Sequence, residues 1–251
     1  MSEYQGKVVV ITGASDGIGA ALARELNNRG ARLALVARTK LKLDTLAHEL
    51  HDALAIVADV TDRAAVEHVL AVAMERFGQI DVWVNNVGRG ITRPLLELSD
   101  DDVDAMITDN LKSALYGMQT IVPVFVAQGY GTLANVSSML GRVPFAPQRS
   151  AYSASKAALN SLTETLRFTL TDESPDIRVV TVFPGVVATD FGNNALGGGV
   201  DSRSFPGAQT AEDAARVIAD GLLSGPVDLY TRTDGYDLAR GHLARLGGRT
   251  Q

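Results

Sequence analysis

The chain has 251 residues, enough for one large α/β domain or two small ones, and 46% hydrophobic with 21% charged residues is ordinary for a globular protein. A net charge of −6 argues against nucleic acid as a partner, and zero cysteines exclude disulfides and cysteine-ligated metal or iron–sulfur sites. No apolar run is long enough to cross a bilayer and the N-terminus MSEYQGK lacks a secretory hydrophobic region, so a cytoplasmic protein with no membrane partner is expected.

The first element, KVVVITGASDGIGAALARELNNRG, organises the rest. Lys7 to Thr12 reads as a buried parallel strand because Val8, Val9, Val10 and Ile11 are continuously apolar and β-branched. Gly13 to Gly19 is a glycine-rich turn, and Ile18, Leu22 and Leu26 mark the apolar stripe of a helix stopped at Asn28, Arg29 and Gly30. A turn of this kind aims free N–H groups and a positive dipole end at a phosphate, which in a doubly wound sheet is most often part of a dinucleotide. The spacing G-x-x-x-G-x-G of Gly13, Gly17 and Gly19 departs from the commoner G-x-G-x-x-G, and alone it also fits an ordinary strand-turn-helix.

Arg32 to Ala37 reads as the second strand, and the helix after it carries Leu43, Leu46 and Leu50 on one face. NAD-binding folds usually place an acid about 20 residues beyond the glycine turn to hold the ribose hydroxyls. Here Ala37 and Arg38 stand instead. A guanidinium binds a 2′-phosphate with two hydrogen bonds where an acid would repel it, so Arg38 reads as an NADP selector, with Lys40 and Lys42 adding positive field and Asp16 opposing it.

A third strand, Ala53 to Ala58, ends in Asp59-Val60-Thr61-Asp62, where Asp62 or Thr61 suits a helix N-cap. Asp59 lies past a strand's carboxyl end, placed to accept from an adenine amine, and reads equally as a loop carboxylate. Strand four, Ile80 to Val84, holds Trp83 as a core residue and leads into Asn85-Asn86-Val87-Gly88, a polar turn able to brace a neighbouring strand and lie against a cofactor. Gly90 to Ser99 is irregular. Asp100, Asp101 and Asp102 open a helix with Val103, Met106, Ile107, Leu111, Ala114, Leu115 and Met118 inward, which Pro123 is expected to kink or end. Asn110 falls in that stripe, where a buried amide needs partners as a structural tie or part of a polar site.

Strand five, Gly131 to Val136, delivers Ser137 and Ser138 at its carboxyl end. In the helix Ala151 to Leu170, Tyr152 and Lys156 are one turn apart on a face that continues into Leu159 and Thr163. An inward lysine is costly unless something uses its charge. Strand six, Ile177 to Phe183, ends in Pro184-Gly185-Val186-Val187-Ala188-Thr189. Gly192 to Gly207 reads as a mobile segment, a substrate lid or an uninvolved loop. A last helix starts at Thr210 or Glu212, and Val227 to Thr231 can form a seventh strand. His48 and His51 read as surface histidines. With no repeat or linker, residues 1–251 read as one domain.

Five features in this order, Thr12-Gly13-x-x-x-Gly17-x-Gly19, Asn85-Asn86-Val87-Gly88, Asn110, Ser138 before Tyr152-x-x-x-Lys156, and Pro184-Gly185 with Thr189, resemble the short-chain dehydrogenase/reductase family over nearly the whole chain. The resemblance implies a three-layer Rossmann fold, an α/β doubly wound parallel sheet of about seven strands. It implies hydride transfer between NADP and a small carbonyl or alcohol substrate, in a homodimer or homotetramer. Tyr152 would be the acid/base, helped by Lys156, which would also bind the nicotinamide ribose. Ser138 would hold the substrate oxygen, and Asn110 a water in a proton relay. Free tyrosine has a pKa of about 10, which the Lys156 ammonium and the oxidised ring would lower. The cofactor would lie along Gly13, Ser15, Asp16, Gly17, Ile18, Gly19, Arg38, Asp59, Val60, Asn86, Val87, Gly88, Pro184, Gly185, Val187 and Thr189. Gly13, Gly17 and Gly19 would line the pyrophosphate, Thr189 the carboxamide or phosphates, and Asn86 the adenosine ribose.

Val87 replaces the family's usual alanine, and the Ser138–Tyr152 gap is one residue longer than is commonest, which keeps Ser137 a minor candidate. The C-terminal GYDLARGHLARLGGRTQ lacks the glycine-rich final strand of many tetrameric members. Arg89, Arg93, Leu140, Phe145, Val187 and Phe191 are expected around a substrate pocket that leans apolar. The competing class is a dinucleotide-binding sensor or scaffold without turnover, disfavoured because a binding module has no use for all four catalytic positions. An epimerase or dehydratase is a third class, for which the short C-terminal half leaves little room.

Overall fold

The computed structural model describes residues 3–174 and 176–247; of the two stretches named above, Met1 and Ser2 and the last four residues lie outside it. The strands are β1 (Val8–Thr12), β2 (Arg32–Ala37), β3 (Ala53–Val57), β4 (Val82–Asn85), β5 (Gly131–Val136), β6 (Ile177–Phe183) and β7 (Asp228–Tyr230). They form one sheet in the order β3-β2-β1-β4-β5-β6-β7, and every pairing is parallel. The helices are α1 (Gly17–Asn28), α2 (Lys40–Glu49), α3 (Arg63–Phe77), α4 (Asp100–Ile107), α5 (Ser113–Gln128), α6 (Ser150–Glu173), α7 (Ala211–Leu222) and α8 (Gly235–Leu246).

Strands β1 to β6 alternate between two cores. Val9 and Ile11 of β1 join Leu22 and Leu26 of α1 and Ile218 and Leu222 of α7 on one face. Val8 and Val10 join Val66 and Val69 of α3, Ile121 and Phe125 of α5 and Leu159 of α6 on the other. Full burial of such side chains contributes roughly 1.5–3 kcal/mol apiece, which is why a run apolar on both faces becomes the centre of a covered sheet. Strand order reverses between β1 and β4, so the loops beyond their carboxyl ends splay apart and leave the crevice where such sheets bind ligands.

Helix starts follow local chemistry. Asp16 accepts from the Gly17 amide at 2.8 Å, so α1 begins inside the glycine turn, and Asp62, not Thr61, caps α3 through the Ala64 amide at 3.1 Å. Ser99 and Asp102 form a capping box on α4, and Thr210 caps α7. The helix expected after Asp100 is interrupted earlier than Pro123. It widens into a π turn at Thr108–Lys112, then continues as α5 through Pro123 to Gln128, where Gly129 at φ 78° ends it. Ile121 and Phe125, both fully buried, hold α5 on the sheet either side of the proline. Val103, expected inward, is 41% exposed. Residues 235–246, within the stretch read as lacking a glycine-rich final strand, form α8.

Gly19 has no room for a side chain. A Cβ there would lie 2.2 Å from the Gly13 carbonyl oxygen and 2.7 Å from Asn86 Nδ2. Gly19→Ala is therefore expected to cost about 1–3 kcal/mol through overpacking and to weaken dinucleotide binding by deforming the turn. Thermal unfolding and titration with NADPH fluorescence measure the two effects.

Candidate active site

The β1–α1 turn needs its glycines for different reasons. Gly13 and Gly17 adopt left-handed φ of 66° and 52°, and Gly17 faces Thr189, whose Cγ2 lies 3.2 Å from where a Cβ would be. Asn86 pins the turn from the β4 end: its backbone amide donates to Thr12 Oγ1 at 3.0 Å, and its Nδ2 to the Thr12 and Gly13 carbonyls at 3.1 and 3.2 Å. Asn85 reaches the other way, donating to Asn135 Oδ1 at 2.8 Å while accepting from the Trp83 indole at 2.8 Å. The two amides thus brace neighbours on both sides of β4, and Trp83 is core as expected.

Arg38 is 74% exposed and its only ion pair among the described residues is with Asp59, at 3.5 Å. Asp59 also accepts from Thr61 through its amide and hydroxyl, at 3.0 and 2.7 Å. Burial pushes the Asp59 pKa up, but the Thr61 bonds and the Arg38 charge outweigh it and hold the carboxyl below its ordinary value. Lys42 binds Asp16 at 2.6 Å, so the one acid in the glycine turn is neutralised from α2, whereas Lys40 pairs within α2 with Asp44. Ser15 and Ile18 are half-buried in the turn, Val60 is buried, and Val87 and Gly88 are half-buried beyond β4.

The phenol and ammonium come from the first turns of α6. Tyr152 and Lys156 are 6% and 2% exposed, with Lys156 Nζ 5.9 Å from the phenol ring centre. The ammonium donates to the Val136 carbonyl at 2.8 Å. Asn110, fully buried in the π turn, accepts from the Arg89 amide at 2.9 Å and donates to the Arg89 and Met106 carbonyls at 3.0 and 3.1 Å. Asn110 Oδ1 and Lys156 Nζ converge on Gly88, lying 3.0 and 3.2 Å from where its Cβ would be. Ser138 caps the turn after β5 by accepting from the Leu140 amide at 3.1 Å. Ser137 is turned away: its hydroxyl donates to Asn160 Oδ1 at 2.5 Å, leaving Ser138 on the phenol side.

Burial dominates the electrostatics of the pair. Burial pushes the Tyr152 phenol up to about 12, against which a hydrogen bond with Ser138 and the Arg149 charge pull downward. Burial pushes Lys156 down to about 7. Desolvation penalises both charged forms, and among the chain's own groups it outweighs the charges that favour phenolate. A lysine whose pKa falls on folding burdens the native state most below the folded value, and the burden fades as pH rises towards 10.5. Lys156→Met is accordingly expected to raise the melting temperature, by about 5 °C near pH 6 and by less near pH 9. Scanning calorimetry at both pH values checks the sign.

Around the phenol, Ile91, Met106 and Ala151 form a small apolar cluster with Leu98, Leu140, Phe191 and Leu196, and the Phe191 ring meets Tyr152 edge-on at 5.6 Å. Of the expected pocket residues, Leu140 and Phe191 therefore assemble at the phenol. Phe145 is 64% exposed and stands outside this cluster, and Val187 is buried and bridged to Gln209. Arg89 lies 3.9 Å from Asp109 and Arg93 lies 2.7 Å from Asp102. Pro184 accepts from the Met139 amide at 3.0 Å, and Gly185 packs on Arg232, whose Cδ is 2.5 Å from a Cβ position. The segment read as mobile is tied down: Leu196 exchanges backbone hydrogen bonds with Gly90 and Thr92, at 2.9 and 2.8 Å, and the Gly192 amide donates to Ser202 at 3.2 Å.

Three polar residues near the site carry no earlier expectation. Asn160, one turn after Lys156, donates to the Gly141 carbonyl at 3.0 Å and so ties the loop after Ser138 to α6. Asn135 connects Asn85 to Thr163, donating to Thr163 Oγ1 at 2.9 Å. Arg149 precedes the phenol by one turn. Helical spacing from Tyr152 and Lys156 could have found Asn160 and Arg149; Asn135, an amide within an apolar strand, is a weaker signal. His48 and His51 are exposed, and among the described residues no group of three metal-ligating side chains gathers. No helix among them is long and apolar enough to cross a membrane.

The sequence pattern described as short chain dehydrogenase matches residues 7–196. An uncharacterized oxidoreductase of Staphylococcus epidermidis is 33% identical over 199 residues, covering 76% of this chain and 85% of its own. A short chain dehydrogenase from Burkholderia cenocepacia, solved in complex with NADP, superposes with a TM-score of 0.83 at 27% identity and 98% coverage of both chains. A short chain dehydrogenase/reductase from Burkholderia phymatum, in complex with NAD, gives 0.82 at 25% identity, covering 96% of this chain and 94% of its own.

Proposed function

Since the chain belongs to the short-chain dehydrogenase/reductase family of oxidoreductases, we propose that it transfers hydride between NADP(H) and a small ketone or secondary alcohol, with Tyr152 as the acid/base and the whole chain acting as one domain. What carries this reading is the convergence of Lys156 Nζ and Asn110 Oδ1 on Gly88, beside a phenol that shares a hydrogen bond with Ser138. The residues fit a dinucleotide: a glycine turn with two left-handed glycines, an exposed guanidinium at Arg38, and Thr189 opposite Gly17.

When bound, the nicotinamide supplies or accepts the hydride. The chain's own groups manage the proton. Ser138 orients the substrate oxygen, and Tyr152 donates its proton as charge develops there. A phenol held at about 12 is fully protonated at neutral pH, the state carbonyl reduction requires. Lys156 and Asn110 hold the ribose and the water that returns the proton. A protein that only senses the dinucleotide would bind NADPH without consuming it. Following the absorbance of reduced nicotinamide over a panel of ketones separates the two, and the enzyme reading fails if none is consumed.

A further inference from the structure

A guanidinium stands beside the apolar cluster around Tyr152. Arg149 is half-buried, its Nη1 is closed off from solvent, and that nitrogen has no hydrogen-bond partner among the described residues. No ion pair among the described residues includes Arg149, whereas Arg89 and Arg93 each lie near a carboxylate. Nη1 lies 2.5 Å, and Phe191 Cε1 3.0 Å, from the point a Gly90 Cβ would occupy, so Gly90 is flanked by the guanidinium and by the ring that meets Tyr152 edge-on. Nη2 reaches the opposite loop, 3.4 Å from a Gly199 Cβ position. Arg149 also stands at the start of α6, which has no acidic residue in its first turn and no side-chain cap. A cation there adds to the positive end of the helix dipole instead of opposing it.

A guanidinium N–H held out of water without an acceptor costs free energy, and a carboxylate, with two acceptor oxygens, is the matching partner for a guanidinium. We propose that Arg149 binds the carboxylate of the substrate, so that the protein acts on oxo acids or hydroxy acids in preference to neutral ketones and alcohols. This rests on the hydride-transfer reading above. The acid is held by Arg149 at one end while its reacting oxygen meets Ser138 and Tyr152, and Phe191 and Leu140 cover the carbon chain between them.

The test compares pyruvate, acetoacetate, levulinate and benzoylformate with their methyl esters, using NADPH as reductant. For at least one pair the acid is expected to exceed its ester about 10-fold in kcat/KM, with the difference mainly in KM. In Arg149→Gln that ratio is expected to collapse towards one through loss of about 100-fold on the acid, and Arg149→Lys to restore part of it. Esters reduced as well as acids in the wild type, or a ratio unmoved in Arg149→Gln, overturn the assignment while leaving the hydride-transfer reading intact. If neither acids nor esters are reduced, that reading falls instead. Calorimetric binding of the same acids to the NADP-loaded protein then decides: binding lost in Arg149→Gln upholds the carboxylate site, and no binding removes it.

Discussion

Tyr152→Phe is expected to lower NADPH-dependent carbonyl reduction by about 10³-fold or more while NADPH still binds. The phenol is 6% exposed and packed among Ile91, Met106 and Phe191, so the ring stays in place and only the hydroxyl is lost. That hydroxyl is the one proton donor in the cluster whose ordinary chemistry suits a developing alkoxide. Its pKa, pushed up to about 12 by burial, also sets a direction. Reduction needs the protonated phenol and is expected to hold level through neutral pH. Alcohol oxidation needs the phenolate and is expected to climb as pH rises. Steady-state rates in both directions, wild type against Tyr152→Phe, check the magnitude and the slope together. Activity retained in the variant would remove Tyr152 as the acid/base.

The sheet was legible because its signals are local and repeated. Four consecutive apolar β-branched residues, Val8 to Ile11, cannot sit on a half-exposed strand without wasting one face, and the structure buries both. The glycine turn was legible for the same reason, since Gly13 and Gly17 carry left-handed φ and Gly19 has no space. Where expectation and structure part, the cause lies in contacts distant along the chain. Within the π turn the Asn110 amide serves the Arg89 backbone, 21 positions away. The 192–207 segment looks mobile from its glycines, but Leu196 is paired with Gly90 and Thr92 across more than a hundred residues. Helical spacing places Arg149 one turn before the phenol, but only the packing shows that its Nη1 is closed off with no acceptor among the described residues. At Tyr152 and Lys156 charge proximity can be read from helical spacing, whereas desolvation depends on everything packed around them.

Arg38→Asp is expected to reduce the NADPH/NADH preference by about 10²–10³-fold, reading kcat/KM for each cofactor. Arg38 stands just past the carboxyl end of β2, where a doubly wound sheet meets the adenosine ribose. Its pair with Asp59 is long, at 3.5 Å, and lies in solvent, so it holds the guanidinium only weakly and leaves it able to turn towards a 2′-phosphate. Asp59 has firmer partners in the Thr61 amide and hydroxyl and stays in place when Arg38 leaves it. An introduced carboxylate at this position acts twice: it removes a bidentate donor, and it places a second negative charge near Asp59, which repels phosphate further. Lys42 is a poorer substitute because Asp16 already holds its ammonium at 2.6 Å. Arg38→Ala separates the contributions, since it removes the donor without adding repulsion, and its loss of preference is expected to fall between wild type and Arg38→Asp. At 74% exposure Arg38 supports no core contact, so melting temperatures should agree closely among the three proteins. A preference unchanged in Arg38→Asp would transfer 2′-phosphate recognition away from this residue.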